Sequence, residues 1–260
     1  MLYMKAEEGN VVLEVHYDPY PENPRVDLDD DPMVKVIGWH SKYTIGDEHD
    51  YQTPADFMQA LVHEVAGDKL RKLMEEIWTI QPGKEGWQVL CREDVEGTYD
   101  DKPTALREMA DMMEDWYDDP FLTLEEFYEL VSDEVVIKPV YIYDHSGVAL
   151  STRPFNDPWD SGQVGFVYAY KKDLIEHPGY IERAEEMLDN AVEVFSQYLN
   201  GEVYGYKLIR VTSCTECGAE QREEIDSCWG FYGDDFDKNG LKDHLPAEYQ
   251  HLVDKLEIAS

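Results

Sequence analysis

Apolar and polar residues alternate from Val11 to Tyr17 and again from Val34 to Trp39, the period-two signature of strands, with a Pro- and Asp-rich loop between. The period then lengthens. Phe57, Ala60, Leu61, Val65, Leu70, Leu73, Met74 and Ile77 fall on one stripe, which predicts a helix over 54–78. Its start is specified locally: Thr53 is placed to cap, Pro54 suits the first helical position, and Asp56 faces the positive end of the helix dipole. Two shorter helices are expected over 104–117 and 123–132. The second carries a capping box in Thr123 and Glu126 and a hydrophobic staple in Leu122 and Phe127.

From Val135 the period of two returns in three runs, "VVIKPVYIY", "GVALST" and "QVGFVYAY", joined by glycine-bearing turns. Ile181, Ala184, Leu188, Ala191, Val192, Phe195 and Leu199 mark a helix over 180–200, and "GEVYGYKLIRV" reads as the strand that follows. The tail from Cys214 is rich in Gly and Asp and ends in a short helix. These elements predict an α+β fold: a mixed or antiparallel sheet backed by a long helix, with an acidic helical segment in the N-terminal half. The expected division is 1–92 (strands plus helix), 93–134 (the acidic helical segment) and 135–260 (sheet, long helix and Gly/Asp/Cys-rich tail). Segments 1–92 and 135–260 could share one compact domain.

Charge changes this picture most. The 260 residues carry 57 Asp and Glu against 22 Lys and Arg, a net charge of -35. From Glu93 to Glu134 there are 16 acids, opposed only by Lys102 and Arg107. Such a chain is repelled by nucleic acid and by anionic membranes, so no direct nucleic-acid binding and no membrane association are expected, and the natural partner is a protein with a basic surface. The density of carboxylates resembles the phosphate spacing that DNA mimics present. On that reading Asp100, Asp101, Asp111, Glu114, Asp115, Asp118, Asp119, Glu125 and Glu126 face the partner. Solubility and adaptation to high salt are the plain alternatives, the latter weakened because 14 Lys outnumber 8 Arg. There is no run of 18 apolar residues, and the first residues lack the basic and apolar regions of a signal peptide, so a soluble, cytoplasmic protein is expected.

A second chemistry sits at the strand and loop ends, where His40, Asp47, His49, Asp144, His145, Asp160 and Ser161 gather. His and Asp ligate metals and perform acid–base work, which makes Asp144, His145 and Asp160 catalytic candidates and His40, Asp47, His49, Trp159 and Gln163 ligand-binding candidates. Their spacing fits no recognised metal motif. Asp-His-Ser-Gly and Trp-Asp-Ser-Gly also make ordinary Asx turns, although Trp159, His145 and Gln163 exceed what a turn needs. The aromatics Trp39, Tyr43, Trp159, Trp229, Phe231 and Tyr232 would either line a groove or wall a sheet core.

Cys214, Cys217 and Cys228 suggest zinc, with His244 or His251 as a fourth ligand; the alternative is a set of reduced thiols in a turn. Asp235, Asp237, Asn239, Gly240 and Asp243 follow a calcium loop. Pro246 stands where its bidentate Glu belongs and Lys242 where an apolar residue packs, so that loop is broken. P-loop, G-x-G-x-x-G, G-x-S-x-G and H-E-x-x-H patterns are absent from the sequence.

Five stretches taken together, "WHSKYTIGDEH" (39–49), "YDHSG" (143–147), "WDSGQVGFVY" (159–168), "YLNGEVYGY" (198–206) and "DSCWGFYG" (226–233), resemble a family of uncharacterised proteins in bacteriophages and mobile elements. The resemblance spans the strands, the long helix and the tail, and leaves out the acidic stretch from about 90 to 135. It implies a phage or mobile-element setting and no particular chemistry. With the charge, it leads to an expected role: an acidic phage-type accessory protein that binds and inhibits a host nucleic-acid-binding defence protein. The rival expectation is a metal-dependent hydrolase or a small-ligand or nucleotide binder using the His and Asp turns. A third is a structural or assembly protein of a virion, for which a homo-oligomer would be the mark.

Overall fold

The structure is a computed structural model that describes residues 1–26, 33–145 and 147–259. Ser146 of the Asp-His-Ser-Gly turn and residues 27–32 of the Pro- and Asp-rich loop lie outside the described residues. Along the chain the elements run β1 (Leu2–Glu8), β2 (Val11–Tyr17), β3 (Lys35–Gly38), α1 (Pro54–Ile77), β4 (Trp78–Pro82), β5 (Trp87–Cys91) and β6 (Asp94–Tyr99). There follow α2 (Lys102–Asp118), α3 (Leu124–Val131), β7 (Val135–Asp144), β8 (Val148–Ser151), β9 (Ser161–Tyr170), α4 (Lys171–Ile175), α5 (Ala184–Leu199), β10 (Val203–Ser213) and β11 (Glu220–Tyr232). A short α6 (Leu241–His244), a 3-10 helix (Ala247–Lys255) and β12 (Glu257–Ile258) complete it. Helices and antiparallel sheets together make an α+β fold.

Two compact units share the chain. The first comprises residues 1–47, 138–167 and 186–260, and holds the five-stranded sheet β11-β10-β2-β1-β12. Register explains its core: Leu13 and Val15 of β2 stand opposite Leu208 and Tyr206 of β10, and all four are buried. Because side chains alternate faces along a strand, this parity sends the intervening Glu14 and Lys207 to the other face. Leu241, Leu245, Leu252 and Val253 from the tail close over the same cluster, so the Gly- and Asp-rich tail ends as a core lid.

The four-stranded sheet runs in the order β3-β9-β7-β8. Against it, α5 is fastened by polar contacts: the Leu150 N–H donates to Ser196 Oγ (2.8 Å), and Asp189 accepts from Lys138 Nζ (3.0 Å) and Thr152 Oγ1 (2.6 Å). Gly165 answers to backbone proximity. A Cβ there would run into the Ile37 carbonyl and lie 2.7 Å from Gly38 Cα, so only glycine lets β3 approach β9 this closely.

The second unit comprises residues 48–137 and 168–185. Helix α1 starts in a capping box, with Thr53 Oγ1 accepting the Asp56 N–H and the Asp56 carboxylate accepting the Thr53 N–H. It kinks at Ala66 (φ -137°, ψ 21°), beside Gly67. A three-stranded sheet, β4-β5-β6, follows in what sequence periodicity had left unassigned. The segment expected to be helical from 93 therefore begins as a strand, Asp94–Tyr99. Its pairing with β5 is set by a two-residue turn in which Arg92 takes φ 55°, and Cys91 pairs with Asp94. On the inner face of α2, Ala105, Met109, Met112, Met113 and Trp116 pack with Trp78, Val89 and Cys91. Among the described residues no helix is long and apolar enough to cross a membrane.

Candidate functional site

The candidate residues read from the sequence fall mainly on two surfaces, one in each unit. In the second unit, Asp111, Glu114, Asp115 and Asp118 are all exposed on α2. At 100° per residue they fall within an arc of about 100°, opposite the apolar face. Spaced over seven residues at 1.5 Å each, they present one carboxylate per about 3.5 Å of axis, close to the 3.4 Å per phosphate of one DNA strand. This arrangement breaks two local rules. Like charges sit at i+3 and i+4, and the last turn holds no basic residue although its carbonyls form the negative end of the helix dipole.

Other acids in that stretch have structural work. Asp101 caps α2, accepting the Thr104 N–H at 2.9 Å. Asp119 accepts from Gln59 Nε2 (2.5 Å). Glu126 closes the capping box of α3 and receives Arg92 Nη2 at 2.9 Å. Burial raises the Glu126 carboxyl, but the Thr123 N–H and the Arg92 guanidinium outweigh it and hold the group below the usual carboxylate range. Asp100 and Glu125 are exposed, the latter in the first turn of α3 where an anion is favourable. Where α2 ends, Ala55, Met58, Gln59, Asp119, Pro120 and Leu122 line a cavity of about 240 Å³ beside Phe121, whose surface is 76% exposed. Asp119 is the one carboxylate in the lining of this recess.

In the first unit the sheet order β3-β9-β7-β8 brings several separated turns to one end. Asp144, at the end of β7, accepts Lys42 Nζ (2.9 Å) and the Tyr43 hydroxyl (3.2 Å). The Lys42 hydrogen bond is the main reason its carboxyl lies below the usual range, and Lys42 is raised in return. His40 stacks on Tyr43 with ring centroids 5.1 Å apart. The Asp144 N–H donates to the Asp160 carbonyl (3.0 Å), and His145 Nδ1 lies 3.2 Å from Asp160 Oδ2. Asp157 holds the loop as an Asx turn by accepting the N–H groups of Trp159 (2.9 Å) and Asp160 (3.2 Å), while Ser161 Oγ donates to its carbonyl. Trp159 stands out of this turn 92% exposed. The Asx turn accounts for Asp157, Asp160 and Ser161 and leaves the Trp159 ring without a structural duty.

The remaining candidates are elsewhere. Asp47 is committed to Arg25, accepting Nε at 2.7 Å and Nη2 at 2.6 Å, and also takes the Val36 N–H (2.8 Å). His49 belongs to the second unit, its ring 5.8 Å from Tyr51. Gln163 turns back on its own strand, its amide 3.4 Å from the Gly165 carbonyl. The aromatics separate too: Phe231 is buried 6.1 Å from Tyr206, and Tyr232 donates to the Glu22 carbonyl (2.7 Å).

Cys214 and Cys217 are exposed at the tip of the β10–β11 hairpin. Cys228 pairs with Tyr206, seven residues along β10 from the last pair, Ser213 with Glu220. At about 3.3 Å per residue that is roughly 23 Å, far beyond a common coordination sphere. His244 Nδ1 is bonded to the Gly240 carbonyl and His251 to Glu8. No group of three His, Cys, Asp or Glu placed to hold a metal occurs among the described residues. The Cys214 thiol lies below its usual range because Sγ accepts the N–H groups of Cys217 and Glu216. In the calcium-like turn, Asp235 and Asp237 are paired with Lys238 and Lys242.

Arg92 was not singled out from the sequence. Its side chain spans from the β5–β6 turn to Glu126 and the Phe121 carbonyl, and the turn signal Pro82 to Gly86 was the available clue to that sheet. Comparison with family models, with curated proteins and with solved structures finds no match.

Proposed function

We propose that the protein acts by binding: an acidic, phage-type accessory protein whose α2 stripe occupies the phosphate-binding surface of a basic host protein that handles nucleic acid, and so inhibits it. The observation that carries this is the row Asp111, Glu114, Asp115 and Asp118, whose mean charge per length of axis is close to that of one DNA strand and which is set against the dipole of its own helix. Folding gains nothing from such a row. A cationic partner relieves both the mutual repulsion and the unfavourable end of the dipole, and steers association at a rate that falls with salt.

The test is capture from host lysate by the wild-type chain and by the variant D111K/E114K/D115K/D118K, with release of the captured protein by duplex DNA. The reading expects a basic nucleic-acid-binding protein that the wild type retains, that DNA displaces, and that the variant fails to retain. Equal capture by both chains, or a captured protein indifferent to DNA, would overturn it.

A second reading rests on the Trp159 ring, exposed beside the Lys42–Asp144 and His145–Asp160 pairs. An exposed aromatic ring next to Asp160 in the chain, at the sheet end that also carries the Lys42 ammonium, the His145 imidazole and the Asp144 carboxylate, suits a small planar ligand such as a nucleobase, bound without a metal. Saturable quenching of tryptophan fluorescence by nucleotides, lost in Trp159→Leu, supports it; the absence of quenching removes it.

A further inference from the structure

The β10–β11 hairpin runs past the sheet that anchors it. Pairing of β10 with β2 stops at Arg210 opposite Val11, with one more bond from the Val211 N–H to the Asn10 carbonyl (2.8 Å). Beyond that point every residue from Thr212 to Glu224 is exposed, and β11 is the edge strand of its sheet. At the tip, Cys214-Thr215-Glu216-Cys217-Gly218 folds into a closed turn: the Gly218 N–H donates to the Cys214 carbonyl (2.9 Å), and the Cys214 N–H to the Ala219 carbonyl (2.9 Å). Gly218 has φ +71°, the left-handed conformation that lets the chain turn back immediately after Cys217. Both thiols are exposed on this turn, and the N–H groups of Cys217 and Glu216 hold the Cys214 thiol below its usual range.

C-x2-C spacing in an exposed, closed turn is what a structural zinc asks of one pair of ligands, and such a site needs four. Among the described residues the remaining cysteines do not complete it: Cys228 lies roughly 23 Å down the same hairpin, and Cys91 is buried in the second unit. The projecting tip leaves the open side of the turn in solvent.

We propose that two copies of the chain meet tip to tip about a two-fold axis and share one zinc ion through Cys214 and Cys217 of each. A two-fold places identical half-sites face to face, so four thiolates surround one ion with no further ligand needed. Binding expels the thiol protons to solvent, and the dication offsets part of the four thiolate charges. From Arg210 to Glu224 each arm carries Glu216, Glu220, Glu223 and Glu224 against Arg210 and Arg222. Two such arms repel, so added salt favours this dimer, whereas it weakens binding through the α2 stripe. The two proposals therefore stand or fall separately.

The experiment uses the reduced, chelator-stripped full chain titrated with Zn²⁺ alone and with Co²⁺ alone, followed by light scattering and by the visible spectrum of bound cobalt. The expected result is one metal per two chains, a doubling of mass, and the intense d–d bands of a tetrahedral tetrathiolate. All three disappear in Cys214→Ser and Cys217→Ser, persist in Cys228→Ser, and reverse with excess chelator. One metal per monomeric chain, a cobalt spectrum without four sulfurs, a dimer unaffected by Cys214→Ser, or a reduced chain that takes up no metal would each overturn the proposal.

Discussion

Replacing Asp115 and Asp118 together with Asn removes two of the four carboxylates from the outer stripe of α2 while leaving its apolar face intact. Asp115 lies one turn from Asp111 and from Asp118, and Asp118 one turn from Glu114, so the double change deletes three close like-charge pairs. Each such pair costs about 0.2–0.5 kcal/mol on an exposed helix. Both acids also sit in the last turn, where an anion facing the dipole costs about 0.3 kcal/mol or more. The expected outcome is a helix more stable by about 1–2 kcal/mol at low ionic strength, with the gain shrinking towards zero near 1 M salt, where the screening length is about 3 Å. With two compact units, one global unfolding energy is not a safe readout. Hydrogen exchange of the α2 amides is the suitable assay, supported by urea denaturation because urea adds no ions. Slower exchange at low salt for the double variant fits a row of charges kept at the expense of the helix. Faster exchange would mean that the carboxylates serve folding, and a gain that does not depend on salt would mean that their cost is not charge repulsion; either result would remove the physical basis for the mimicry proposal.

Asp47→Ala leaves the Arg25 guanidinium, only 8% exposed, without its counter-charge, and should destabilise the first unit by about 3 kcal/mol, read by hydrogen exchange of the β3 amides; a neutral effect would show that the pair is dispensable. Thr123→Ala removes the side chain that accepts the Glu126 N–H and should destabilise α3 by about 1 kcal/mol, with Thr123→Ser close to wild type in exchange of the α3 amides. Since the folded Glu126 carboxyl is held below its unfolded range, its contribution is fully present above that range and is lost as pH falls through the lower folded value. Acid titration followed by α3 exchange should show this loss in the wild type and much less of it in Glu126→Gln. An identical acid response in both would place the pH-sensitive group elsewhere.

Helices α1 and α3 could be read with their caps because the determinants lie within one turn of each other: Thr53 with Asp56, and Thr123 with Glu126. The strands after Val135 were legible for the same reason, since period two is a property of neighbours. The β4-β5-β6 sheet was missed because its strands are short and its central turn places a non-glycine residue, Arg92, at positive φ. Among the polar candidates, local sequence could not tell Asp47 from Asp144. The first is claimed by Arg25 and the Val36 N–H; the second faces Lys42 and Tyr43 across a gap of about a hundred residues.

The sequence by itself determined the net charge of -35, the acidic stripe on α2, the helix caps and the C-x2-C turn, all of which depend on composition or on residues a few positions apart. Tertiary structure alone decided that Asp144, His145, Asp160 and Trp159 share one end of a sheet, that Asp47 does not join them, and that Cys228 is stranded along the hairpin from Cys214 and Cys217. The physical reason is strand register: it fixes which distant side chains stand together, and it is set by how whole strands pair and bury their apolar faces.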